Sequence, residues 1–124
     1  MTAAAVFDTS AVVAYTRASE HVGELLQEIS DEDGFVLVPA VCLIEARTAG
    51  EDDGRLRLLA AHRRVKVLGV EPGDWMRLAA GVALLGTLGR ACAALAALQE
   101  AAWYVATCDP AVYGDGIDTV PIED

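Results

Sequence analysis

Ala3-Ala4-Ala5-Val6-Phe7-Asp8-Thr9-Ser10 runs from an unbroken apolar segment into a carboxylate and two hydroxyls. A short apolar run closed by an acid, then by a residue able to cap a helix, reads as strand, acid, helix start. In α/β folds ligands sit outside the carboxyl ends of the strands, which is where this grammar places Asp8. A charge there is costly unless it is solvated or paired with a cation. The grammar recurs near the other end: Trp103–Thr107 reads as a strand and is followed by Asp109-Pro110.

Between these points, helical and extended patterns alternate. Glu20–Asp33 carries Val22, Leu25, Leu26 and Ile29 on one helical face. Phe35–Val38 is a continuous apolar strand, and Pro39 suits the first turn of a helix over Ala40–Ala49. A basic amphipathic helix is expected near Arg55–Arg63, then a strand at Val65–Val70. Pro72-Gly73-Asp74 opens a helix in which Trp75, Leu78, Ala79, Val82 and Leu85 recur at helical spacing, with Trp75 in the core or at an interface. Gly86–Gly89 interrupts it before an Ala-rich helix over Arg90–Ala101, and a last strand is expected at Thr119–Ile122. Alternation of this kind implies an α/β fold, a three-layer α/β/α sandwich around a parallel sheet of four to five strands. The single domain spans residues 1–124, and Asp8 and Asp109 fall on one edge of its sheet.

With 54% hydrophobic residues among 124, disorder is not expected. Nine basic residues against nineteen acidic give a net charge of −10, a field that repels nucleic acid at long range and suits a cation or a basic protein. RNA is not excluded, because a metal or the one basic run, Arg55, Arg57, His62, Arg63, Arg64 and Lys66, inverts the sign locally; the plain reading of that run is a solvated helix face. Cys42, Cys92 and Cys108 lie in apolar stretches without metal-ligand spacing, so buried reduced thiols and a cytoplasmic location are expected. His21 and His62 share no helical face. No basic segment precedes a long apolar run, so no secretory signal is expected. Leu78–Leu98 is long enough to cross a bilayer but is Ala-rich and broken by glycines, as in two buried helices.

Glu45 stands in Ala40-Val41-Cys42-Leu43-Ile44-Glu45-Ala46, an otherwise apolar helix, where the plain expectation is a salt bridge to Arg47 or an outward face. Val6-Phe7-Asp8-Thr9-Ser10-Ala11, Val38-Pro39 through Ile44-Glu45-Ala46, and Ala106-Thr107-Cys108-Asp109-Pro110 together resemble the PIN domain, and most of all the small VapC-like toxins of bacterial toxin–antitoxin pairs. That resemblance implies a metal-dependent endoribonuclease in which Asp8, Glu45 and Asp109 hold Mg²⁺ or Mn²⁺. Oxygen ligands suit such hard cations. It also implies Thr9, Ser10 and Thr107 as hydroxyls around those ligands, a homodimer, an RNA substrate and a basic antitoxin. No membrane association is expected.

The family carries a further acid near the start of the helix before Asp109, where this chain has Arg90-Ala91. Glu100 lies ten residues along that helix, roughly 15 Å away by helical rise. Asp74, Asp115 and Asp118 are the other acids considered for the vacancy. With fewer hard ligands metal affinity falls. Arg90 either faces solvent or contacts a phosphate by its fork of donors. A catalytically inactive PIN-like domain that binds protein or RNA is therefore the alternative to the nuclease. Haloacid-dehalogenase-like and response-regulator readings fail on their motifs: Ser10 stands where the former needs an acid, and Lys66 is the only Lys.

Overall fold

The computed structural model describes residues 2–123. β1 (Thr2–Phe7) is the middle strand of a five-stranded sheet completed by β2 (Gly34–Pro39), β3 (Val65–Leu68), β4 (Tyr104–Thr107) and β5 (Thr119–Pro121). The order is β3-β2-β1-β4-β5, and every pairing is parallel. Strands buried on both faces need apolar side chains throughout, which is why Ala3–Phe7 contains no polar residue.

Side-chain alternation divides the core. Ala4 and Phe7 of β1, with Val36 and Val38 of β2, pack against α1 (Thr9–Thr16), α2 (Glu20–Asp31), α3 (Ala40–Thr48) and α4 (Asp53–Ala60). Ala3, Val6, Leu37 and Val105 face α6 (Leu88–Gln99) instead, whose alanines let it lie close to the sheet. The β1–β2 register shifts between Ala3 and Ala5. On α2, Val22, Leu25, Leu26 and Ile29 are buried, each stabilising by about 1.5–3 kcal/mol. Replacing one of these leucines by Ala would cost about 2–5 kcal/mol.

The chain winds outward from β1 through β2 to β3, then returns past β1 through α5 (Trp75–Leu85) and α6 to form β4 and β5. The reversal between β1 and β4 leaves a crevice at their carboxyl ends. α5 lies outside α6, and a Cβ on Gly81 would stand 2.8 Å from the Ala91 Cβ, so glycine permits that approach. No single helix among the described residues is long and apolar enough to cross a membrane; α5 with its preceding turn meets α6 at 117°.

Several boundaries differ from the sequence reading. Asp8 itself, rather than Thr9 or Ser10, caps α1. α2 ends at Asp31, with Asp33 in a left-handed conformation. Pro39 closes β2 and occupies the cap position of α3 rather than its first turn. α4 starts at Asp53 because the Asp52 carboxylate accepts the Arg55 N–H, and it stops at Ala60, leaving Arg63 beyond it. Trp75 is not in the core: of the helical repeat on α5, only Leu78 is fully buried. Cys42 and Cys92 are buried as expected, whereas Cys108 is exposed, since it follows the end of β4.

Candidate functional site

Asp8 is carried to the sheet edge by β1 and retained there by the start of α1. It is only 3% exposed. Its Oδ1 accepts from the Ser10 hydroxyl at 2.6 Å and from the Ala11 N–H at 3.1 Å. Its Oδ2 accepts from the Tyr113 hydroxyl at 2.7 Å. Tyr113 ends the 3₁₀ turn Pro110–Tyr113, and burial, then the nearby Asp8 charge, holds its phenol well above the usual range. It therefore remains a donor at physiological pH.

The hydroxyl network follows from donor supply. Ser10 has one proton, directed to the Asp8 carboxylate, and its oxygen accepts the Cys108 N–H at 2.8 Å. The Thr107 hydroxyl, 3.3 Å from Ser10, must then be the donor between them, while accepting from the Asp109 N–H at 3.0 Å. Ser10 and Thr107 thus tie the ends of β1 and β4 together.

Glu45 neither pairs with Arg47 nor faces outward. Arg47 pairs with Asp53 instead. Thr9 donates to Glu45 Oε1 at 2.6 Å, and the Gly89 N–H donates to Oε2 at 3.1 Å. Gly89 is the second residue of α6, so Glu45 sits at the positive end of that helix, joining α1, α3 and α6. A Cβ on Gly89 would overlap the Glu45 carboxylate, so glycine is required by proximity. The Cys42 thiol donates to the Gly89 carbonyl at 3.5 Å, and burial drives its pKa upward.

Asp109 is the open member, with its side chain 54% exposed. Arg90 turns toward it rather than into solvent: Nη2 lies 3.4 Å from Asp109 Oδ2, and Nη1 donates to the Leu85 carbonyl at 3.0 Å. Asp8, Thr9, Ser10, Glu45, Thr87, Arg90 and Asp109 line one cleft of about 240 Å³. Asp74 is bound up elsewhere, 3.8 Å from Arg77 and 3.4 Å from Gln99. Asp115 and Asp118 lie exposed before β5 and do not line the cleft. The basic run does not line it either; Arg55 donates to the Thr16 carbonyl and Arg64 pairs with Asp33. The histidines have local roles, His21 accepting from the Glu123 N–H and His62 from the Arg64 N–H.

The carboxylates of the cleft already hold partners within the protein. Both Asp8 oxygens and both Glu45 oxygens take hydrogen bonds from the protein, and a guanidinium stands beside Asp109. A cation entering there meets donor hydrogens and a like charge. Chemically, the cleft offers three carboxylates against one guanidinium, with Asp109 the most open of the acids.

Sequence reasoning missed Tyr113, Gly89 and Thr87. Tyr113 left a weak signal, since a buried tyrosine hydroxyl needs a partner and an acid stands four residues before it. Thr87 is the cap of α6, its hydroxyl accepting the Arg90 N–H at 3.2 Å, and this aims Arg90 along the cleft. No protein-family model matches this chain, and no curated protein matches it either.

Proposed function

We propose that the chain is a PIN-like domain of the VapC-like kind that binds rather than cuts, and that its partner is a basic protein. The observation that carries this reading is Arg90 beside Asp109 at the start of α6, where the resembled family has an acid. Arg90 places a positive charge beside Asp109 in cis, and Tyr113 donates to the buried Asp8 Oδ2. A net charge of −10 favours a basic protein over RNA. The reduced, buried Cys42 and Cys92 suit a cytoplasmic location.

RNA incubated with the protein and Mg²⁺ or Mn²⁺ is expected to stay intact. Calorimetric titration with Mn²⁺ is expected to give weak binding, which Arg90→Asp strengthens at least ~10-fold by removing a cation and adding a hard ligand. Coexpression with the neighbouring open reading frame is expected to yield a salt-sensitive complex. The reading fails if the wild type cleaves RNA and both Asp8→Asn and Asp109→Asn abolish that cleavage.

That outcome would favour a metal-dependent endoribonuclease, the second reading. Its support is that Asp8, Glu45 and Asp109 line one cleft with the hydroxyls of Thr9 and Ser10. It requires Tyr113 and Arg90 to release their carboxylates.

A further inference from the structure

β3 is the outermost strand on its side of the sheet, and among the described residues nothing pairs with its outer edge. The Val36 N–H donates to the Arg64 carbonyl at 2.7 Å. In a parallel ladder the peptide groups of alternate residues point to one neighbour, so Arg64, Lys66 and Leu68 serve β2. The N–H and C=O of Val67 therefore point outward, as does the Val65 C=O. Val67 is itself 39% exposed.

A short edge bearing a lysine ordinarily discourages strand addition. Beside β3, however, residues 66–71 form one wall of a cavity of about 360 Å³. Lys66 and Leu68 share the face of the strand turned to α6, because side chains alternate and Leu68 packs on that side of the sheet. Val41, Leu78, Leu95 and Ala96 supply a buried and half-buried apolar lining. The helical layer adds Asp74, in the turn before α5, with Gln99 and Glu100 at the end of α6. Three acids, Glu71, Asp74 and Glu100, thus stand against one cation, Lys66. Neither Glu71 nor Glu100 has an ion-pair partner among the described residues. The negative end of the α6 dipole lies at the same wall.

We propose that β3 takes an added strand from a partner protein, and that a lysine or arginine of this strand lies in the cavity. Three features select that occupant. The unpaired peptide groups of Val65 and Val67 need an extended backbone, which a helix or a lipid surface does not offer. A residue of the added strand beside Lys66 or Leu68 turns its side chain to the α6 face, into the cavity. There a long aliphatic stem covers Val41, Leu78 and Leu95 while its charged head meets Glu71, Asp74 and Glu100. A second copy of the chain is a poor match, since it brings a net charge of −10 to an acidic wall.

The inference does not rest on the reading of the acidic cleft. The two sites share no lining residue, so RNA cleavage by the wild type would bear on the cleft alone.

Nuclear magnetic resonance titration of the full chain with a capped heptapeptide tests the proposal. The probe has threonine at its odd positions and valine, arginine, valine at its even ones. It is expected to shift the amides of Val65, Val67 and Gly69 and to bind with a Kd of about 0.1–1 mM. Citrulline in place of the arginine is expected to weaken binding at least ~5-fold. Glu71→Gln combined with Glu100→Gln is expected to remove that preference and leave the circular dichroism unchanged. Of two peptides N-methylated on alternate sets of nitrogens, one is expected to bind and the other not, because only one set faces β3. The absence of shifts at β3 overturns the proposal, as does equal binding by the arginine and citrulline peptides. Two N-methylated forms that behave alike also overturn it, as do shifts confined to Arg90 and Asp109 in the acidic cleft. Protection of the Val67 amide in the protein alone, lost on dilution, would assign the edge to a second copy and overturn it equally.

Discussion

Asp8 and Asp109 end adjacent parallel strands with the same local grammar, yet they have opposite surroundings. Asp8 is 3% exposed and takes three hydrogen bonds from the protein. Asp109 has a side chain 54% exposed and faces one guanidinium at 3.4 Å. The first carboxylate is part of the architecture, because it caps α1 and anchors the 3₁₀ turn after β4. The second is part of the surface. A strand-end acid therefore acquires its role from the donors that surround it, not from its position alone.

The contrast can be broken most severely at Asp8. Asp8→Ala leaves Tyr113, Ser10 and the Ala11 N–H without their acceptor, and urea denaturation is expected to show a loss of ~3 kcal/mol or more. Gly89→Ala, which drives a methyl into the Glu45 carboxylate, is expected to cost about 2–3 kcal/mol, read as a lower thermal midpoint. Tyr113→Phe removes a single bond to a charged acceptor and should cost about 1.5–3 kcal/mol. Asp109→Ala is the smallest of these, within ~0.5 kcal/mol, because its ion pair is exposed. Equal losses for Asp8→Ala and Asp109→Ala would remove the distinction between them.

A third acid sharpens it. The Thr16 hydroxyl first, and Arg17 second, hold the Glu51 carboxyl below its usual range. A depressed folded pKa contributes stability above the unfolded pKa and loses it as pH falls through the folded one. Glu51→Gln is therefore expected to lower stability at neutral pH and to flatten the acid limb below about pH 4.5, so that variant and wild type converge in acid. An unchanged acid limb would show that the bonds from Thr16 and Arg17 do not act through the ionised carboxylate.

Much of the fold was legible because local pattern reports local structure. The face of α2 is written in the spacing of Val22, Leu25, Leu26 and Ile29, all of which are buried. The α5 pattern misled for the opposite reason. Apolar residues recur at helical spacing there too, but periodicity cannot say whether anything covers the face, and Trp75 is exposed. In the cleft, Asp8, Glu45 and Asp109 stood out as acids in apolar settings, and all three line it. Their partners did not stand out, since Tyr113 meets Asp8 across 105 positions and Gly89 meets Glu45 across 44.

By itself the sequence determined the alternation of strand and helix, the parallel sheet, and the placing of Asp8 and Asp109 on one edge. These follow from hydrophobic period and from capping residues, which act over a few positions. Only the tertiary structure decided that Arg90 turns inward to Asp109, that Tyr113 and Gly89 donate to Asp8 and Glu45, and that α5 keeps its apolar face uncovered. Each depends on how a helix is rotated about its axis once packed, and that rotation is fixed by contacts between residues far apart in the chain.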